Sequence, residues 1–125
     1  MTREEAAAYI SDAYLSSPEF PWEGDDVTCV FRHGANKKWF AILMKVSADK
    51  LGLEGDQKID IMNVKCDSIA LGSFIGEKGV YRAYHMNKQH WLTLALDGSA
   101  DDGLIRLLID MSYQLTRAKG RKKNG

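Results

Sequence analysis

With 125 residues, 45% of them hydrophobic and 27% charged, the chain is long enough for one domain with its own core and too apolar to be disordered. Seventeen basic side chains balance seventeen acidic ones, and a pI of about 6.8 is low for a domain wholly given over to nucleic acid. No stretch approaches the roughly 18 apolar residues of a membrane span and no secretory pattern opens the chain. Cys29 and Cys66 are too few for a disulfide framework or a four-cysteine zinc site, so the expected address is the cytoplasm.

Along the chain, Thr2 and Glu5 have capping-box spacing, and Ala6, Tyr9, Ile10, Ala13 and Tyr14 recur at helical spacing. The helix they predict ends at Ser16-Ser17-Pro18, because the residue before a proline is pushed out of the helical region. A loop with Phe20, Pro21 and Trp22 follows. Residues 27–31 alternate, with Val27, Cys29 and Phe31 expected to face inward. Residues 38–46 alternate again, and the His33-Gly34-Ala35-Asn36 cluster between them predicts a hairpin turn. A third strand is expected over 58–64 and a short helix over 67–77, with Asp67 as its N-cap. A second hairpin is expected from 80–86 and 90–96, with Asn87 supplying the positive φ of its turn. The last helix is capped by Ser99 or Asp101 and places Leu104, Leu108, Met111 and Leu115 on one face. The order α-β-β-β-α-β-β-α predicts a single two-layer α+β domain over residues 1–117, an antiparallel sheet with helices on one face, then a basic flexible tail over 118–125.

Charge is segregated along this order. Residues 1–26 hold Arg3 against seven acids, whereas residues 27–96 hold ten basic and six acidic side chains. From Arg117 onward come five cations, Arg117, Lys119, Arg121, Lys122 and Lys123, and no acid. A neutral chain with such asymmetry can still present a local basic field that attracts phosphate.

Among residues that carry chemistry, Cys66 sits between Lys65 and Asp67 where a strand meets a helix. Read as a nucleophile, its thiolate would be favoured by Lys65, with His85 or His90 as base. Read as structure, it is a small buried hydrophobe. His85 and His90 lie five residues apart across a turn, a spacing that matches no metal-ligand pattern, and His33 lies on another turn. No phosphate-binding glycine loop, paired-carboxylate set or Ser/His/Asp constellation can be placed, and no metal or cofactor is expected. The densest polar-aromatic stretch is Tyr84-His85-Met86-Asn87-Lys88-Gln89-His90-Trp91. It combines a cation and an amide suited to sugar-phosphate with rings suited to stacking.

With Phe20-Pro21, Lys38-x-Phe40-Ala41, Lys65-Cys66-Asp67 and Ser112-Tyr113 in the same order, this stretch resembles the MmcQ/YjbR-like family of small bacterial proteins over essentially the whole chain. Ser68 departs from the proline the family often places there, which weakens the helix start. The resemblance implies a curved antiparallel sheet similar to secretion-chaperone-like and frataxin-like folds. It also implies a DNA-binding description based on two hairpins shaped as a double wing, and it brings no catalytic residues. Lys37, Lys38 and the Asn87-Lys88 turn would then lie at the wings.

The leading expectation is a non-enzymatic DNA-binding protein with a regulatory role, meeting double-stranded DNA through Lys37, Lys38, Lys65, Arg82, His85, Asn87, Lys88 and His90. The alternative is a protein- or peptide-binding module, a chaperone-like dimer. A third class is an enzyme using Cys66 with His85 or His90. No membrane partner is expected, and monomer and homodimer both remain open.

Overall fold

The computed structural model describes residues 1–118; of the basic tail, Lys119 and the residues after it lie outside the described residues. The chain runs α1 (Arg3–Tyr14), β1 (Cys29–Arg32), β2 (Trp39–Ser47), β3 (Lys58–Lys65), α2 (Ser68–Phe74), β4 (Val80–Arg82), β5 (Trp91–Ala95) and α3 (Asp102–Thr116). One turn of 3-10 helix, Ala48–Leu51, follows β2. The expected α+β order is the observed one. The strands form a five-stranded antiparallel sheet in the order β1-β2-β3-β5-β4.

The period of two along each strand decides which side chains meet the helices. Cys29 pairs with Leu43, Leu43 with Met62 and Met62 with Leu94; Phe31, Ala41, Val64 and Leu92 form the next row. Both rows are buried against Ile10 of α1, Leu71 of α2, and Ile105, Leu108 and Ile109 of α3. The other face is buried too. Val30, Ile42, Asn63 and Thr93 make a row across it, shut from solvent. The α1 N-terminus carries the expected capping box, Thr2 accepting from the Glu5 backbone and Glu5 from the Thr2 backbone.

Four expectations need correcting. Val27 stays exposed outside β1, because the Asp25 carboxylate takes both the Val27 and the Thr28 N–H at 2.9 Å and holds them in a turn. The predicted helix over 67–77 is only Ser68–Phe74, ending before Gly76, whose φ of 100° is foreign to a helix. The predicted strand over 80–86 stops at Arg82. There the Tyr84 N–H turns to the Thr93 hydroxyl (2.8 Å), and the Tyr84 carbonyl accepts from the Asn63 amide (3.0 Å). Buried side chains thus replace the ladder and fold the chain over the sheet. Finally, the buried stripe of α3 is Ile105, Leu108, Ile109, Ser112 and Thr116, while Leu115 is half exposed. Two hydroxyls displace a leucine because they find partners that a leucine cannot use.

Those partners shape one end of the sheet. Between Phe31 and Arg32 the β1–β2 register shifts, leaving Phe40 as an extra residue in β2. Phe40 and Ala41 therefore both face the core. The freed Phe40 carbonyl accepts from the Ser112 hydroxyl at 2.6 Å, and the Ser112 hydroxyl oxygen in turn accepts from the Lys65 N–H at 2.8 Å. One hydroxyl of α3 bridges β2 and β3 just past their last pair, Ala41 with Val64.

Candidate nucleic-acid interface

Both hairpin turns, residues 33–38 and 83–90, lie at this same end of the sheet. So does the end of β3 between them, because β1 and β4 finish where β2 and β5 begin. All eight candidate residues fall within these segments or at the adjoining strand ends.

The first turn is tied to α3. The His33 ring nitrogen Nε2 lies 2.8 Å from the Thr116 hydroxyl, and the Asn36 amide donates to the Thr116 carbonyl at 2.8 Å. The Thr116 hydroxyl proton goes to the Ser112 carbonyl at 2.7 Å. Its oxygen can then only accept from His33, so Nε2 carries the hydrogen. Burial pushes the His33 imidazole below its ordinary value. His33 is therefore a neutral structural pin, sandwiched against Phe40 and Tyr113 with centroids at 5.1 and 4.4 Å.

This pin presents Lys37 and Lys38 next to the end of α3. Lys37 holds a φ of 65°, the left-handed conformation that the turn needs. Lys37, Lys38, Trp39, Lys65, Trp91 and Thr116 line an open groove of about 330 Å³. Lys65 reaches over the Trp91 ring with its ammonium 5.9 Å from the centroid, a cation–π contact at the outer limit. Trp39 stands edge-on to Trp22 at 5.7 Å, so the acidic loop's aromatic braces the groove wall. Among the described residues, none of the three lysines has a carboxylate within ion-pair distance. The nearby Glu19 is engaged with the Arg32 guanidinium, whose hydrogen bonds hold its carboxyl below the usual range.

The second turn is arranged otherwise. Arg82 and Lys88 line a separate, larger cleft along β4, and the Lys88 ammonium donates to the Ala83 carbonyl at 2.8 Å. The positive φ falls on His85 (60°), which packs against Tyr84, and not on Asn87 as expected. Asn87 instead accepts the Gln89 N–H on its side chain at 2.8 Å and the His90 N–H on its carbonyl at 3.2 Å. The His90 carbonyl accepts from Cys66 N–H at 2.8 Å, extending the β3–β5 pairing by one step. The eight candidates thus divide into two neighbouring groups, Lys37, Lys38 and Lys65 in one and Arg82 and Lys88 in the other, with His85, Asn87 and the His90 backbone shaping the second turn.

Cys66 lies within the apolar core, and burial, with the Asp67 charge behind it, pushes its thiol up. A thiolate nucleophile requires the opposite shift, so the Cys66–histidine site loses its premise. Among the described residues no three His, Cys, Asp or Glu side chains converge as a metal site would need. No described helix is long and apolar enough to cross a membrane.

Sequence reasoning passed over Trp39 as a groove wall and over Ser112, Thr116, Asn63 and Thr93 as the polar supports. For Ser112 and Thr116 the signal was present: two hydroxyls four residues apart on an otherwise apolar helical stripe. For Asn63 and Thr93 only the cross-strand register pairs them.

A family model described as YjbR matches residues 11–115. The uncharacterized protein YyaQ of Bacillus subtilis (strain 168) is 36% identical over 117 residues, covering 94% of this chain and 99% of its own length. The uncharacterized protein YjbR of Escherichia coli (strain K12) is 57% identical over a 30-residue segment, 24% of this chain and 25% of its own. A crystal structure of a Pseudomonas syringae protein superposes with a TM-score of 0.90 at 41% identity, covering 94% of this chain and all of that one. A Deinococcus radiodurans protein of the domain family DUF419 shares the fold at 23% identity, with a TM-score of 0.68 over 98% of this chain and 83% of its own.

Proposed function

The chain belongs to the YjbR family, and from the geometry of its sheet end we propose that it is a cytoplasmic DNA-binding protein that acts by binding and not by catalysis. One observation carries the reading: Lys37, Lys38 and Lys65, from two separate parts of the chain, converge on one groove with no carboxylate of the described residues in ion-pair reach. Unneutralised ammonium groups on adjacent strands and turns suit consecutive phosphates, which position a protein without reading sequence. Two indole rings, Trp39 and Trp91, line the same groove. The chain leaves α3 at Arg117 beside this groove, and the sequence continues with Lys119, Arg121, Lys122 and Lys123.

With the three lysines, Arg117 and part of the basic continuation, about five to seven phosphates would be neutralised. For duplex DNA the logarithm of affinity should then fall against the logarithm of salt with a slope of roughly −5. A fluorescence-anisotropy titration of a labelled oligonucleotide at 50 and 200 mM salt tests this. The expected outcome is a loss of affinity of about a thousandfold between the two. Absent binding, or binding indifferent to salt, overturns the reading.

A further inference from the structure

The two edges of the sheet are finished differently. Beside β1, Glu19 exchanges backbone hydrogen bonds with Val30 at 2.9 and 2.8 Å, so the preceding loop covers that edge. Beside β4 no further strand lies among the described residues. The Ala95 N–H donates to the Gly79 carbonyl, and in an antiparallel ladder bonded pairs alternate. Gly79 and Tyr81 therefore bond to β5, while the backbone groups of Val80 and Arg82 point away from it. The Val80 N–H is taken by the Glu77 carbonyl at 3.0 Å. That leaves the Val80 carbonyl and both backbone groups of Arg82 facing outward, without a partner among the described residues.

These groups open into a cleft of about 630 Å³. Ile75, just past α2, and Leu51, from the 3-10 turn, line it together with Tyr84, giving it apolar lining beside the strand. Its charged residues are Lys50, Lys78, Arg82 and Lys88 against one acid, Glu77, and none of the four cations is in an ion pair among the described residues. At the strand's start, Gly79 keeps a φ of 83°, and a Cβ there would lie 2.6 Å from that of Ala100. The start of the edge strand thus packs closely against Ser99 and Ala100.

We propose that β4 and its cleft accept an extended acidic peptide segment of a partner protein as a sixth, antiparallel strand. One residue of the incoming segment exchanges two hydrogen bonds with Arg82, and an N–H on from it reaches the Val80 carbonyl. Backbone pairing of this kind supplies affinity, and alternate side chains supply selectivity. Carboxylates on the segment meet Lys50, Lys78, Arg82 and Lys88, and its apolar alternates meet Leu51, Ile75 and Tyr84. The site is independent of the groove at Lys37, Lys38 and Lys65.

The test uses the full chain and three blocked eight-residue peptides: alternating Glu and Val, alternating Lys and Val, and the Glu-Val peptide with N-methyl groups on alternate residues. Amide shifts of the protein report the site, and calorimetry reports affinity. The Glu-Val peptide is expected to shift the amides of residues 77–84 and 50–51. The Lys-Val and N-methylated peptides should bind at least tenfold more weakly. Lys78→Glu, at an exposed position, should weaken the acidic peptide severalfold, while Lys37→Glu should leave it unchanged. Unmoved amides at 80–82 overturn the proposal. Equal binding of the N-methylated peptide also overturns it, since charge alone would then suffice and the cations would merely guard the edge against self-pairing. Displacement of the peptide by a short oligonucleotide that shifts the same amides would reassign the cleft to nucleic acid.

Discussion

The two ends of the sheet treat their cations in opposite ways. Where β2 finishes and β3 begins, Lys45 lies 3.0 Å from Asp60, its cross-strand partner, and Arg3 of α1 approaches the same carboxylate at 4.0 Å. The charges there are spent on joining a helix to a strand pair. At the other end, Lys37, Lys38 and Lys65 stand around Trp39 and Trp91 with no such partner among the described residues, and the hydroxyls of Ser112 and Thr116 do the joining. Neutral hydrogen bonds replace ion pairs as the fastening, which leaves the lysines free to act outward. A chain of zero net charge can therefore hold a basic site, provided its carboxylates are engaged elsewhere.

The largest expected effect is at the fastening itself. Ser112→Ala removes the oxygen that satisfies both the Phe40 carbonyl and the Lys65 N–H, and each buried orphan costs about 1–3 kcal/mol. Denaturant midpoints should report a loss of about 2–6 kcal/mol, together with weaker DNA binding as Lys65 loses its anchor. Full stability in this variant would mean that the bulge at Phe40 closes by itself.

Thr93→Val should cost less, about 1–3 kcal/mol, by stranding the Tyr84 N–H. Hydrogen exchange should then accelerate across residues 84–90 and leave the first turn unaffected, separating the two turns as structural units. A uniform change across both would contradict that separation.

The pin at His33 gives a dependence on pH. Its imidazole is held below the ordinary value near 6.5, chiefly by burial. As the pH falls below that value, the unfolded chain takes up a proton that the folded chain refuses. The contribution is fully present above about pH 6.5 and declines as the pH drops toward the lower folded value. Midpoints measured from pH 7.5 to 5 should show this decline, and His33→Gln should flatten it. Smallest of all is Asp60→Asn at the paired end, which should cost no more than about 1 kcal/mol and leave DNA affinity unchanged or slightly higher.

Much of the fold was legible because its signals are local. Alternation over β1 and β2, the capping box at Thr2, and the N-caps Asp67 and Asp101 each follow from a few neighbouring residues. What escaped depends on partners distant in sequence. β4 is shorter than its pattern because Asn63 and Thr93 capture Tyr84, and the α3 stripe is rotated because Phe40 bulges under Ser112. The site was legible as residue types and less so as groups. The turns named the lysines, but only the strand order β3-β5-β4 separates Lys65 with Trp91 from Arg82 with Lys88.

The claim that unpaired lysines at one end of the sheet bind phosphate is tested most directly by charge reversal at each end in turn, read as the salt dependence of DNA affinity. Lys37→Glu, Lys38→Glu and Lys65→Glu combined should make the slope shallower by about 3, one per lost contact, while Lys45→Glu should leave it as it was. Equal slopes for the triple variant and the unaltered chain, or an equal loss from Lys45→Glu, would contradict the account.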